Sequence, residues 1–373
     1  MRKPIKFPQG FLLFIFIFFI TTAFTQTNGK SIIDTGTIDG AHYRIDIPAN
    51  WNKNLVMYAH GYNPSGFPGL FIGGAYDSAN IAVYVAQGFA YARSEYSVPK
   101  GWALPEGVHD TEALREYFVK KYGKPDSAFI TGHSMGGAIT IESIEKYPQY
   151  YNGAMPMCPL STGAFNQIRQ AFDLVVVFNA MYPNILPSVA EMISGKASLI
   201  FPQTIISKIG SDTNNLVRLA RMNEYRTSDM PMILLFTQVL MKDVSKATGG
   251  NPFDNTNTVY AGYGMDLELN EKAERLAASP EAEKKLNQYN PTGKLTRPTV
   301  LVHTIYDELI NPSMGVVYFD NQVQKAGNAN NLAVFYTSGE GHCNFKRSET
   351  RTAFAALRQW ASSGQKPKPG RIQ

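Results

Sequence analysis

The chain has 373 residues, 44% hydrophobic and 17% charged, which suits a large folded core and excludes intrinsic disorder. Its net charge of +5 includes Arg2, Lys3 and Lys6, which lie in a segment expected to be removed, so the mature protein is close to neutral. No Lys/Arg tract interleaved with aromatics occurs, and a nucleic-acid partner has no electrostatic support.

The first residues have the pattern of an export signal. A basic start is followed by ten apolar residues from Phe11 to Ile20, then by small residues with Ala23 and Thr25 in A-x-A-like positions. A membrane span needs about twenty apolar residues. Cleavage is expected between Thr25 and Gln26, leaving no stable membrane anchor and a periplasmic or extracellular protein. No Cys stands there to carry a lipid.

Strand and helix patterns then alternate. Residues 32–37 and 42–48 predict an antiparallel pair, 55–59 a short apolar strand, 78–87 a helix and 89–93 a strand. Residues 109–122 predict an amphipathic helix capped by Asp110 and ended by Gly123 and Pro125. Next come a strand over 127–131, a helix over 135–147 and a strand over 151–157. From 161 to about 290 the apolar periodicity is helical (166–181, 214–223, 230–244) and strand signals vanish. The alternation resumes with a strand at 299–304, a helix at 312–326, a strand at 332–337 and a helix at 349–362. The tail, 366–373, is rich in Pro, Lys and Gly and is expected to fray. The organisation is therefore a signal at 1–25, an α/β core formed by 26–160 and 291–373, and a helical cap insertion at 161–290.

Gly132-His133-Ser134-Met135-Gly136 stands where a strand turns sharply into a helix. A G-x-S-x-G turn needs glycine on both sides because side chains would collide there, and it lifts the serine hydroxyl to the head of the helix. Serine needs a base, and the base an orienting acid. Around such an elbow the chain order is Ser, acid, His. His42, His60, His109 and His133 precede or adjoin the serine, and His303 lies inside a strand before the acid, which leaves His342 in Gly339-Glu340-Gly341-His342-Cys343. Asp307, at the exit of the strand containing Val302 and His303, is the acid; Glu308 and, more weakly, Asp173 are alternatives. The oxyanion hole is expected from the backbone N–H groups of Met135 and of Tyr62, in the loop His60-Gly61-Tyr62-Asn63.

The His60-Gly61 loop, the Gly-His-Ser-Met-Gly elbow, the Asp307 exit and the Gly-Glu-Gly-His loop together resemble the α/β-hydrolase superfamily, from about Gly40 to Ser363. Within it the chain looks like secreted bacterial esterases or prolyl-oligopeptidase-type peptidases. The resemblance implies a mostly parallel eight-stranded sheet with helices on both faces and no cofactor. It implies a serine hydrolase with Ser134, Asp307 and His342 as triad. Neither C-x-x-C nor H-E-x-x-H occurs, so no metal site is indicated.

The cap contains Met181, Met192, Met222, Met230, Met232 and Met241, a flexible lining suited to an apolar acyl or aryl ester. A peptide substrate is the alternative, as is a non-catalytic binding module of the same fold. Cys158 and Cys343 are expected at the same sheet edge, where a disulfide is open to them after export; two buried, merely packed thiols are the competing reading.

Overall fold

The structure, a computed structural model, describes residues 29–66 and 74–373. The export signal expected at 1–25 lies outside the described residues. The chain opens with β1 (Ile32–Ile38) and β2 (Ala41–Ile47), joined through Asp39 and Gly40 at φ 48° and 87°. Left-handed Asp-Gly pairs match the twist of a two-residue hairpin. There follow β3 (Asn54–Ala59), α1 (Gly74–Val85), β4 (Ala90–Ser94), α2 (Leu104–Tyr122), β5 (Ser127–His133), α3 (Met135–Lys146) and β6 (Gly153–Met157).

Seven helices come next: α4 (Ala164–Met181), α5 (Val189–Ile193), α6 (Pro202–Ile209), α7 (Asn214–Met222), α8 (Met230–Thr248), α9 (Asp266–Lys272) and α10 (Pro280–Leu286). The sheet resumes with β7 (Thr299–Tyr306), α11 (Phe319–Lys325), β8 (Leu332–Glu340), α12 (Arg347–Ser363) and β9 (Gly370–Arg371). The strand order is β1-β2-β4-β3-β5-β6-β7-β8-β9. The β1–β2 and β2–β4 pairs are antiparallel and all others parallel.

The period-2 geometry of a strand sorts β3 onto two cores. Leu55 and Met57 pack with Leu114 and Phe118 of α2, Ile141 and Ile144 of α3 and Phe319 of α11. Val56 and Tyr58 pack on the opposite face with Tyr84 of α1 and Phe354, Leu357 and Trp360 of α12. A third apolar cluster joins the cap to the sheet edge, running from Trp102, Met135 and Ile139 to Phe172, Val175, Leu234 and Met241. Helix α8 is the cap's centre, packed by α4, α5, α6 and α10. Each fully buried Leu or Phe contributes about 1.5–3 kcal/mol. Among the described residues no helix is long and apolar enough to cross a membrane.

Three local expectations are corrected. Helix α2 begins at Leu104, and Asp110 does not cap it: this buried carboxylate accepts the Ser97 N–H at 2.6 Å. Pro105 in the first turn costs the helix nothing, since that turn has no N–H partners to lose. The helix expected at 312–326 starts as a π-helical turn, Ser313–Tyr318, before α11. Gly315 faces His303 there, and a Cβ would stand 2.6 Å from its Nε2. The tail does not simply fray. Gly370 and Arg371 add a ninth strand to the free edge of β8, and Ile372, 9% exposed, enters the core beside α12. An unpaired strand edge offers such a segment ready hydrogen bonds.

Candidate active site

Strands β3, β5, β6, β7 and β8 run parallel, so the residues that follow them emerge along one edge of the sheet. His60 follows β3, Ser134 follows β5, Cys158 follows β6, Asp307 follows β7 and His342 comes two residues after β8. Ser134 has φ 58° and ψ −122°, a left-handed conformation that costs a non-glycine residue energy. Its backbone N–H donates to Met157 O at 3.0 Å. The flanking glycines are sterically required: a Cβ on Gly132 would lie 2.3 Å from Gly136 O, and one on Gly136 would lie 2.0 Å from Ala59 O. Although Ser134 sits at the N-cap of α3, its hydroxyl makes no capping hydrogen bond. It faces a cavity instead.

The backbone of the β3 loop closes on this serine. A Cβ on Gly61 would stand 3.4 Å from Ser134 Cβ. His60 is not a competing base. Its ring stacks on Tyr96 at 4.0 Å, its Nδ1 donates to Gly61 O at 2.7 Å, and burial lowers its pKa. The N–H groups of Tyr62 and Met135 have no backbone acceptor among the described residues. Both adjoin the serine along the chain or across the loop, where an oxyanion would form.

Asp307 is completely buried. Its Oδ1 accepts the N–H groups of Leu309 and Ile310 at 2.9 and 2.8 Å, and Cys343 N–H donates to Oδ2 at 3.4 Å. His342 Nδ1 lies 2.9 Å from both carboxylate oxygens. Desolvation works against the imidazolium, but the charge and hydrogen bond of Asp307, joined by the charge of Glu308, outweigh it and hold the His342 pKa above its ordinary value. Desolvation likewise works against the Asp307 carboxylate, yet His342 keeps its pKa low. His133 is pushed down to about 4, by burial first and by His342 second, and stays neutral. Among the described residues Ser134 and His342 are not hydrogen-bonded to each other.

Neither alternative acid is hydrogen-bonded to His342 among the described residues. Asp173 pairs with Arg169 at 2.8 Å and accepts the Tyr260 hydroxyl inside the cap. Glu308 makes no hydrogen bond to His342; it lines the cavity, with Oε2 buried and without a partner among the described residues.

Cys158 and Cys343 are joined in a disulfide, their Cα atoms 5.5 Å apart and 185 residues apart in sequence. The sulfur of Cys343 is thereby committed, so Asp307, His342 and Cys343, though within 4.8 Å of one another, do not form a metal donor set.

The cavity has Ser134, Met135 and Tyr62 as its floor and encloses ≈ 50 Å³. Its roof is Ile168 and Leu174 of α4 with Ile233, Phe236 and Leu240 of α8. None of the six methionines named above, nor Met265, lines it, which corrects the inference from methionine content. Met181, Met192, Met230 and Met241 pack cap helices together, and Met222 and Met232 face solvent. Sequence reasoning also passed over Gln167, Tyr225 and Asp243, whose positions only the folded cap reveals.

A sharp Gly-His-Ser-Met-Gly turn after β5, an aspartate after β7 and a histidine after β8, on one edge of a mostly parallel sheet under a helical cap, define the α/β-hydrolase class. The chain matches the model of the tannase-like family of unknown function DUF6351 over residues 32–311 and belongs to that family. No curated protein sequence matches it. Similar solved structures include Est1E from Butyrivibrio proteoclasticus (13% identity, 89% of this chain and 99% of that one, TM-score 0.45). Proline iminopeptidase from Mycobacterium smegmatis is another (14% identity, 90% and 100%, TM-score 0.46). An esterase from Pyrococcus furiosus is a third (12% identity, 91% and 90%, TM-score 0.45).

Proposed function

We propose that this protein is an exported serine hydrolase that cleaves a carboxylic ester of an apolar acyl or aryl group through an acyl-enzyme. The observation that carries the reading is the Ser134 hydroxyl, uncapped on its left-handed elbow and facing an apolar cavity, with the bonded pair of His342 and Asp307 on the same sheet edge. Ser134 Oγ attacks the acyl carbon while His342 Nε2 takes its proton. Asp307 holds Nδ1–H and stabilises the imidazolium. The N–H groups of Tyr62 and Met135 receive the oxyanion, His342 returns the proton to the leaving alkoxide, and water repeats the sequence on the acyl-enzyme.

Three polar groups in the cavity wall narrow the substrate. Gln167 is buried and accepts from Thr162 through Oε1, which leaves its NH₂ group without a partner among the described residues. The Tyr225 hydroxyl is likewise unspent, and burial followed by the charge of Asp307 keeps it protonated. The Glu308 carboxylate is an acceptor. Two donors and one acceptor in an apolar wall suit an acyl or aryl group that bears hydroxyls, because a hydroxyl both donates and accepts.

Export is supported by the N-terminal pattern and by the disulfide, which persists in oxidising compartments. The reading is tested with p-nitrophenyl esters of plain and hydroxylated acids beside aminoacyl nitroanilides. Ester turnover, faster for hydroxylated acids, is expected. Turnover of nitroanilides alone would transfer the site to a peptidase.

A further inference from the structure

One buried carboxylate of the cap is bonded to the loop that carries an oxyanion donor. Asp243 lies in α8 and is 2% exposed. Its Oδ2 accepts the Tyr62 hydroxyl at 2.5 Å and the Ser65 N–H at 2.9 Å, and its Oδ1 accepts the Ser65 hydroxyl. Among the described residues no Lys, Arg or His pairs with it. The sequence separations are 181 residues to Tyr62 and 178 to Ser65, so these bonds exist only when the cap is seated.

Desolvating a carboxylate without a cation is costly, and three donors from one loop offset that cost only in a fixed geometry. The same loop is held at its other side: Gly101 N–H donates to Asn63 O at 2.7 Å, and Asn63 Nδ2 donates to Pro99 O at 2.8 Å. Tyr62 therefore has its side chain clamped by α8 and its following residue clamped by the segment after β4. These clamps restrain the Tyr62 backbone one residue from Gly61, where a Cβ would stand 3.4 Å from Ser134 Cβ. Helix α8 also roofs the acyl cavity through Ile233, Phe236 and Leu240, and Phe236 meets the Tyr62 ring edge-on at 5.8 Å. The helix that roofs the cavity is thus the helix bonded to the loop that carries Tyr62.

We propose that Asp243 is a positioning residue, through which the cap sets the Tyr62 N–H of the oxyanion hole, so that the hydrolytic site is complete only under a seated cap. This rests on the serine-hydrolase reading above. Asp243 touches no reacting atom and acts through Tyr62.

The test compares wild type, Asp243→Ala, Asp243→Asn and Tyr62→Phe on a p-nitrophenyl ester, with circular dichroism and melting to establish folding. Tyr62→Phe removes only the hydroxyl that Asp243 holds and keeps the backbone N–H. Misplacing one oxyanion donor costs on the order of 100-fold. For Asp243→Ala, kcat is expected to fall by about that factor, with KM within about threefold, and for Tyr62→Phe to fall in the same direction. Asp243→Asn, which keeps one acceptor oxygen, is expected to lie between wild type and Asp243→Ala. Phenylboronic acid, whose tetrahedral adduct places an oxygen in the hole, is expected to lose affinity in step with kcat. Folded Asp243→Ala with wild-type kcat, or a loss confined to KM, would overturn the proposal. If Asp243→Ala fails to fold, wild-type kcat and boronate affinity in Tyr62→Phe would overturn it equally. A wild type that neither hydrolyses esters nor reacts with a fluorophosphonate would remove the underlying reading, whereas an active wild type with unaffected variants sinks this proposal alone.

Discussion

Cys343, the residue after His342, is bonded to Cys158, the residue after the β6 end that accepts the Ser134 N–H. The bridge thus ties the His342 loop to the backbone that seats Ser134. Cys158 and Cys343 hold φ angles of 42° and 54°, the left-handed region that Ser134 also occupies. Cys158→Ser with Cys343→Ser is expected to lower stability by about 5 kcal/mol in the chain-entropy account of so long a loop. It should also lower kcat, because the His342 loop loses its tether. Melting curves and initial rates check both. Thiol titration of the denatured, unreduced protein should find no free thiol.

The pH dependence follows from the direction of the His342 shift. Only neutral imidazole accepts the serine proton, so kcat/KM is expected to rise with pH through a pKa above the ordinary histidine value of 6.5. Asp307→Asn should lower that limb and reduce kcat by about 10⁴-fold through the wrong tautomer. The stability signs are opposite for the two partners. The lowered pKa of Asp307 stabilises the fold above its ordinary 3.8, and this is lost as pH falls through the folded value. The raised pKa of His342 stabilises the fold at low pH, and this is lost as pH rises through its folded value. A pH series of denaturant melts on wild type and Asp307→Asn reads the difference.

Glu308→Gln separates substrate recognition from catalysis. It removes the smaller of the charges raising the His342 pKa and the one carboxylate in the cavity wall. The acidic limb should move slightly down in pH. The preference for hydroxylated over plain acyl groups should fall by about 10-fold, the loss of one hydrogen bond to a charged group. An unchanged preference would leave the cavity's selectivity with its apolar walls.

Gly136→Ala places a Cβ 2.0 Å from Ala59 O, a backbone atom of the neighbouring strand that cannot swing aside. A loss of about 1–3 kcal/mol, with loss of activity beyond what melting explains, is expected. Gly123→Ala is the contrast: nothing lies within 4 Å, but φ is 90°, so only the backbone conformation is penalised.

The sheet was readable because β3 and β6 are almost wholly apolar and β5 and β7 carry the apolar runs 128–130 and 300–302, as strands covered on both faces require. The elbow was readable because sterics dictate its glycines. Chain order singled out Asp307 and His342, which the fold brings to 2.9 Å of each other. Other features left no local trace. The ninth strand depends on an open edge of β8, the π-helical turn on Gly315 meeting His303, and the early start of α2 on packing. Asp243 is one acidic residue on an apolar helix until folding brings Tyr62 and Ser65 to it. The cap methionines show the reverse failure, since their number said nothing about which cap side chains face Ser134. Ile233, Phe236 and Leu240 do so because α8 presents that stripe to the sheet edge.

Loss of function in the triad should be collective. Ser134→Ala and His342→Ala are each expected to remove on the order of 10⁶-fold in kcat, and the double variant should be little worse, because the groups act as one unit. Additive losses would separate their roles.

The most direct measurement is covalent labelling of the intact, folded protein by a fluorophosphonate, with the modified peptide identified by mass spectrometry. The account predicts stoichiometric modification of Ser134, abolished in Ser134→Ala and greatly slowed in His342→Ala. Modification of a different serine, or ester hydrolysis that persists in Ser134→Ala, would contradict it.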